Sequence, residues 1–458
     1  MCMNKDKKKK ILLLMNCVER EQYIAEMIQD ELLKMGHVEC KILYWNLGVN
    51  EREIRRFDPD VVMTFPLTMR PLIRVIARIK LLCKSTVVSF VTEGFVDPKS
   101  YGDGERIIGY YDFPKELVDY WGVWGPAYGN ILWTELKKRE RIAKKDQIVV
   151  FGYPLWEYAH LYKIKQVNEI EKEVLGLVDK SSKTVLVVSG FSEANKSKED
   201  IYRSIDAYNQ EADKATIEKQ IQKRLIYVEN DRNCREKYYS MVRALAEENP
   251  WITFIIKLHP KEVEGLKHNI GYKYDTLTRY NNIKVLTGDN TLGMYIRKVD
   301  CVIHYGSTVS WEAYANGIPT VRINLINKEL EHAYDAYAPG HMVSNEKEIV
   351  DYFRNFSWEF EQKEEYDRFL KDVFNFDRDK QYAPSLELAE FLYGQDRMQK
   401  QDLNIVTPYA NIDIHFKKSI LKSVIKSFMG LEIYRGFREL KVLFTIFILQ
   451  NKGKGRHE

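Results

Sequence analysis

Short apolar runs and amphipathic stretches alternate along this chain in two successive series, and the restart between the series constrains the fold more than any other feature. The first series has strand-like runs at Ile11–Met15, Glu39–Tyr44, Val61–Thr64, Thr86–Val91 and Gln147–Phe151. Within Arg20–Met35, Ile24, Met27, Ile28, Leu32 and Leu33 recur at helical spacing, and Gly36 stands where a C-terminal cap belongs. A polar, Lys/Glu-rich stretch runs to Lys183. The pattern then resumes with runs at Thr184–Ser189, Leu225–Val228, Ile252–Leu258, Ile283–Leu286, Cys301–His304 and Thr320–Asn324, and with helical patterns at Arg235–Glu247, Leu292–Lys298 and Val309–Asn316. Such alternation marks βαβ units and parallel sheets. Two series predict an α/β chain of two Rossmann-type, doubly wound domains facing a cleft, with ligands at the carboxyl ends of the strands.

At 458 residues the chain is longer than one core usually grows, in keeping with two domains and an appendage. The expected divisions are residues 1–165, residues 166–385, a return or linker segment at 386–414, and a tail at 415–458. A net charge of +4 is too small for this length to argue for nucleic acid as a partner. The six cysteines contain no CxxC pair, which argues against a zinc site or a disulfide framework and points to the cytoplasm. The start, Lys7–Lys10 followed by Ile11–Met15, has too short an apolar run for a signal peptide and reads as a buried first strand. From His415 onward Lys and Arg outnumber acidic residues and are interleaved with Phe, Ile, Leu and Val. A basic amphipathic helix of this kind can lie on an anionic membrane or dock on the protein with an ordinary solvated face, while the run Val442–Leu449 is well short of the ~20 residues a span requires.

Chemistry-bearing residues gather where strands run into helices. Lys257-Leu258-His259-Pro260 ends an apolar strand with an ammonium and an imidazole, a pair suited to a phosphate oxygen, and His259 is also a candidate general acid. Tyr305-Gly306-Ser307-Thr308 follows the strand ending at His304 and opens a helix bearing Glu312. Its amides and hydroxyls suit an anion, and Glu312 suits a ribose or base. The same serine and threonine are equally good helix caps. Thr92-Glu93-Gly94 brings one carboxylate to a strand end in the first series, where it can activate an acceptor hydroxyl or face a cationic centre. Ser189-Gly190-Phe191 is placed to close over a phosphate. The aromatic and glycine runs Tyr120–Pro126 and Gly152-Tyr153-Pro154 can stack on sugars but suit packing better.

His259-Pro260, Gly306-Ser307-Thr308 with Glu312, and Thr92-Glu93-Gly94 resemble the three hallmark motifs of bacterial sialyltransferases and capsule-type Kdo transferases: an HP motif, a serine-rich motif and an acidic residue before glycine. The likeness covers roughly residues 10–353 and extends to bacterial surface carbohydrate biosynthesis proteins of that clan. It implies a GT-B fold and a glycosyltransferase of surface polysaccharide synthesis. The first domain would take a glycan or lipid-linked acceptor, and the second a CMP-activated acidic sugar such as Kdo or a nonulosonate. His259, Ser307 and Thr308 would lie on the nucleotide phosphate, with Lys257, Pro260, Gly190, His304, Gly306 and Glu312 completing the donor site and Glu93 as acid or base. The resemblance also implies metal independence, and no DxD motif lies near the donor strands; no cofactor is expected, and membrane binding by the 415–458 tail would make the enzyme peripheral on the inner face of the plasma membrane. This chain departs from the pattern in having a single carboxylate before Gly94 and a Ser-Thr pair. A CDP-glycerol-type glycerophosphotransferase, a nonhydrolysing sugar-nucleotide epimerase and a non-catalytic GT-B-like envelope scaffold remain as alternatives.

Overall fold

The computed structural model describes residues 8–15, 18–44, 51–65, 70–92, 111–161, 182–202, 214–259, 261–263, 272, 274–286, 296–325, 339–397 and 403–410. Glu93, Gly94, Pro260 and the 415–458 tail therefore lie outside the described residues. The described chain falls into two compact units. One holds the residues up to Pro154 together with those from Ala383 onward, and the other holds Leu155–Tyr382.

The first unit is a parallel six-stranded sheet of β1 (Lys9–Met15), β2 (Val38–Tyr44), β3 (Val61–Thr64), β4 (Thr86–Phe90), β5 (Tyr120–Val123) and β6 (Ile148–Val150), in the order β2-β1-β3-β4-β5-β6. Every residue of β3 and β4 is buried, as expected of parallel strands covered on both faces. The helix Val18–Lys34 packs on β1 and β2 and on the late helix Pro384–Gly394, and Leu403–Ala410 packs on Arg70–Cys83. Arg397 fastens this late segment, with Nη1 donating to an Asp58 carboxylate oxygen at 3.0 Å and Nε to Asp60. β5 is a strand that the apolar pattern does not announce, because Gly122 breaks the run. A Cβ there would stand 2.7 Å from a Phe90 ring carbon, so glycine is what lets the rings of Phe90 and Phe151 meet over the sheet.

The second unit is also a parallel six-stranded sheet: β7 (Lys183–Val188), β8 (Ile252–Lys257), β9 (Ile283–Leu286), β10 (Cys301–His304), β11 (Thr320–Ile323) and β12 (His341–Val343), ordered β12-β11-β10-β7-β8-β9. This is the Rossmann strand order, with its topological switch point between β7 and β10. Leu225–Val228, expected as a strand, lies instead inside the helix Lys214–Glu248. Its apolar run is too short to separate the two states, and the wider spacing decides. Ile221, Val228, Arg235, Tyr238, Tyr239, Val242 and Leu245 are buried at helical intervals, while Ile226 is exposed. The short edge strand β12 was likewise not anticipated, since His341 and Met342 are exposed and leave no apolar run.

Candidate functional site

The second unit sets the candidate nucleotide-site residues side by side. At the carboxyl edge of its sheet, Val188 of β7 pairs with Lys257 of β8 on one side and with His304 of β10 on the other. The loops beginning at Ser189, Leu258 and Tyr305 therefore leave the sheet at the switch point and beside it. Contact between two of them is close: a Cβ at Gly190 would stand 3.1 Å from the Tyr305 carbonyl oxygen. Gly306, with φ +55°, then turns the chain toward the helix Val309–Ala315 in a conformation that favours glycine.

His259 closes a capping box. Its ring Nδ1 accepts the Lys261 N–H at 3.2 Å, and its carbonyl accepts the N–H groups of Glu262 and Val263 at 2.8 and 3.1 Å. The Glu262 carboxylate reaches back to the His259 N–H at 3.3 Å. The arrangement is reciprocal, with an imidazole nitrogen in place of the usual hydroxyl. Because Nδ1 is the acceptor, the neutral ring carries its proton on Nε2. Burial, reinforced by Lys261 and Lys257, holds the imidazole pKa down at about 4, so the ring is neutral near pH 7. Of the two roles read from the sequence, this favours a neutral Nε2–H donor over an imidazolium acid.

Glu262 was not among the candidate residues read from the sequence, yet it is the acceptor packed behind His259. It is wholly buried and accepts from the Ser189 hydroxyl, from Tyr239 at 3.3 Å and from Tyr274, besides the His259 N–H. Burial pushes its pKa up, and the Ser189 and Tyr274 hydroxyls work against that shift. The signal was present: His-Pro-Lys-Glu has the cap-x-x-Glu spacing of a capping box.

The remaining residues differ in how they are presented. Lys257 is 4% exposed and its Nζ donates to the Leu258 carbonyl at 3.0 Å. His304 is fully buried: its Nε2 donates to the Pro339 carbonyl at 3.1 Å, its Nδ1 has no hydrogen-bond partner among the described residues, and burial holds its pKa at about 4. It lies two residues before Gly306, closed off from solvent. Ser307 Oγ accepts the Val309 N–H at 3.3 Å, whereas Thr308 is exposed and its hydroxyl makes no cap bond to the helix it precedes. Glu312 is buried, and its carboxyl has no hydrogen-bond partner among the described residues. Burial, opposed by Arg297, pushes its pKa up to about 8.

A carboxyl raised in this way has a definite consequence for stability. The folded state keeps a proton that the unfolded chain releases above about pH 4.5, so this contribution is full at lower pH. It falls by about 1.4 kcal/mol per pH unit until the folded group itself ionises near 8. Glu312→Gln should remove that slope, so thermal melts across pH 5–9 should show its Tm rising relative to wild type as pH increases. Parallel Tm curves would mean that Glu312 ionises normally.

In the first unit, Thr92 precedes Glu93; its Oγ donates to Glu21 at 3.3 Å and its carbonyl accepts from Tyr153 at 3.2 Å. Trp121 and Trp124 are buried, and Trp124 lies 4.2 Å from Tyr153 ring to ring, so these aromatics pack in the core as expected. Among the described residues no group of three or more His, Cys, Asp or Glu is placed to hold a metal ion, and no helix is long and apolar enough to cross a membrane.

No family model and no curated protein matches the sequence. Solved structures do match. UDP-GlcNAc 2-epimerase from Neisseria meningitidis, bound to UDP-GlcNAc, is 14% identical over 84% of this chain and 100% of its own, with a TM-score of 0.50. The wall teichoic acid polymerase TagF is 12% identical over 85% and 90% of the respective chains, also at 0.50, and a histidine-to-alanine variant of TagF reaches 0.52 at 10% identity. Both resemble this chain in carrying two Rossmann-like domains. The fold is GT-B. At such identities the likeness extends to the fold alone.

Proposed function

We propose that this GT-B chain is a transferase of bacterial surface glycan synthesis that takes a nucleotide-activated donor, with the nucleotide held by its second unit. The observation that supports the reading is the adjacency of strand ends at and beside a Rossmann switch point, which sets the loop of His259, with its neutral imidazole, and the loop of the exposed Thr308 on either side of the β7 loop, ahead of the helix bearing Glu312, whose carboxyl has no hydrogen-bond partner among the described residues. A neutral donor and a hydroxyl suit phosphate oxygens, and stabilise the charge that grows as the nucleotide departs. The Glu312 carboxyl suits the paired hydroxyls of a ribose. The finer assignment, a CMP-linked acidic sugar such as Kdo or a nonulosonate passed to a glycan or lipid-linked acceptor, is supported by the likeness of the HP, Gly-Ser-Thr and Thr-Glu-Gly motifs to those of the sialyl and Kdo transferases. In this scheme Glu93 is the acid or base.

CDP-glycerol and UDP-GlcNAc chemistry are the competing readings, since TagF and a UDP-GlcNAc 2-epimerase share the fold. The test is to follow nucleotide release from CMP-Kdo, a CMP-nonulosonate, CDP-glycerol and UDP-GlcNAc by the purified full-length protein, and to measure binding of CMP, CDP and UDP. Release from a CMP-sugar, lost in His259→Asn, is the expected result. Release from CDP-glycerol, conversion of UDP-GlcNAc without an acceptor, or failure of every nucleotide to bind would each overturn it.

A further inference from the structure

Glu262 has no part in the functional reading above, yet its buried carboxylate joins four separate stretches of chain. These are the loop after β7 through Ser189, the turn after β8 through the His259 N–H, the helix Lys214–Glu248 through Tyr239, and the 3-10 turn Tyr274–Thr276 through Tyr274. The oxygens divide the work. Oε2 takes the Ser189 hydroxyl and the His259 N–H, and Oε1 takes the two phenols. Ser189 Oγ in turn accepts the His259 N–H at 2.9 Å, so the two loops are tied together at this point.

We propose that Glu262 is a positioning residue which, by completing the capping box, sets the tautomer and orientation of His259 and locks the loop bearing Gly190 to the His259 turn. Phenol and serine hydroxyls can rotate to accept, but a backbone N–H cannot, so the His259 amide must be met by acceptors at this spot, which Ser189 Oγ at 2.9 Å and Glu262 Oε2 at 3.3 Å supply together. An isosteric amide supplies one acceptor where the carboxylate supplies two. It would leave either the phenol side or the His259 side facing an NH2 group. When the cap opens, the Lys261 N–H no longer holds Nδ1, and the choice between ring nitrogens is released. The aromatic floor aims the phenols: Tyr239 lies 4.9 Å from Tyr272 and 5.6 Å from Tyr274, and the packed rings hold both hydroxyls toward one carboxyl oxygen.

The nucleotide arm of the test rests on the proposed function, whereas the ring-nitrogen arm does not. Full-length protein labelled with 15N-histidine, its His259 signals assigned by comparison with His259→Asn, is titrated without ligand as wild type, Glu262→Gln, Ser189→Ala and Tyr274→Phe. Wild type is expected to show the Nε2–H form of His259. Glu262→Gln is expected to mix the two tautomers, to raise the His259 pKa by at least about one unit toward its ordinary 6.5, and to weaken CMP binding about tenfold, the loss of one charge-assisted hydrogen bond. The two single-donor deletions should move His259 in the same direction by less, and they keep the test decisive if Glu262→Gln does not fold. Unchanged His259 tautomer and titration in a folded Glu262→Gln, or in both deletions, would overturn the proposal. Should wild type bind no CMP, CDP or UDP, the functional reading falls, and the ring-nitrogen signals still decide the role of Glu262.

Discussion

Exchange of His259 for asparagine is expected to leave the fold intact and to lower kcat/KM for nucleotide release by about 100-fold or more, the usual effect of removing one donor from developing negative charge. Asparagine is a strong N-cap, and its side-chain oxygen can take the Lys261 N–H that Nδ1 now accepts. What it cannot do is reach as far as Nε2. Alanine should show the same catalytic loss together with about 1 kcal/mol of lost stability, since the cap disappears as well. Steady-state kinetics alongside thermal melts of the two variants separate the capping role from the chemical one. Near wild-type turnover by His259→Asn would remove His259 from the reaction and leave it as a cap.

Gly340→Ala should have the largest effect on stability, although Gly340 lies well away in sequence from every residue read as functional. Its φ is +125°, and a Cβ would stand 2.7 Å from both the Thr320 carbonyl oxygen and the Thr320 hydroxyl. Backbone strain and overpacking in the sheet together are worth about 3 kcal/mol or more. For a unit of this size that corresponds to a Tm lower by roughly 10 °C. The consequence reaches the candidate site, because Pro339, the neighbour of Gly340, supplies the carbonyl that accepts from Nε2 of buried His304, two residues before Gly306. A Gly340→Ala protein melting within a degree or two of wild type would show that the β11–β12 edge yields freely.

The sequence reading succeeded where local physics and tertiary context agree. Ile11–Met15, Val61–Thr64, Ile252–Lys257 and Cys301–His304 are strands buried on both faces, and burial on both faces writes itself as an uninterrupted apolar run. The pattern misled at Leu225–Val228, where an equally apolar run belongs to one face of a long helix, and at Tyr120–Val123, where Gly122 is chosen for the rings of Phe90 and Phe151 rather than for strand propensity.

By itself, the sequence determined that there are two series of βαβ units, and it placed His259, Gly306, Ser307, Thr308 and Glu312 just after strands. Side-chain type and spacing are local properties, and parallel sheets put strand ends where ligands gather. Tertiary structure alone decided the strand order that brings the Ser189, Leu258 and Tyr305 loops to one edge. It also returned the helix Pro384–Gly394 to the first unit, which Arg397 secures on Asp58 and Asp60. The same holds for the state of each candidate group. His259 became a neutral Nε2–H donor, His304 a closed core residue and Glu312 a carboxyl with its pKa near 8, because burial and hydrogen-bond partners far apart in sequence set those properties. Glu262 makes the point most directly. Its cap-x-x-Glu spacing was written in the chain, but its bonds to Tyr239 and Tyr274 exist only once the helix and the 3-10 turn have packed against the sheet.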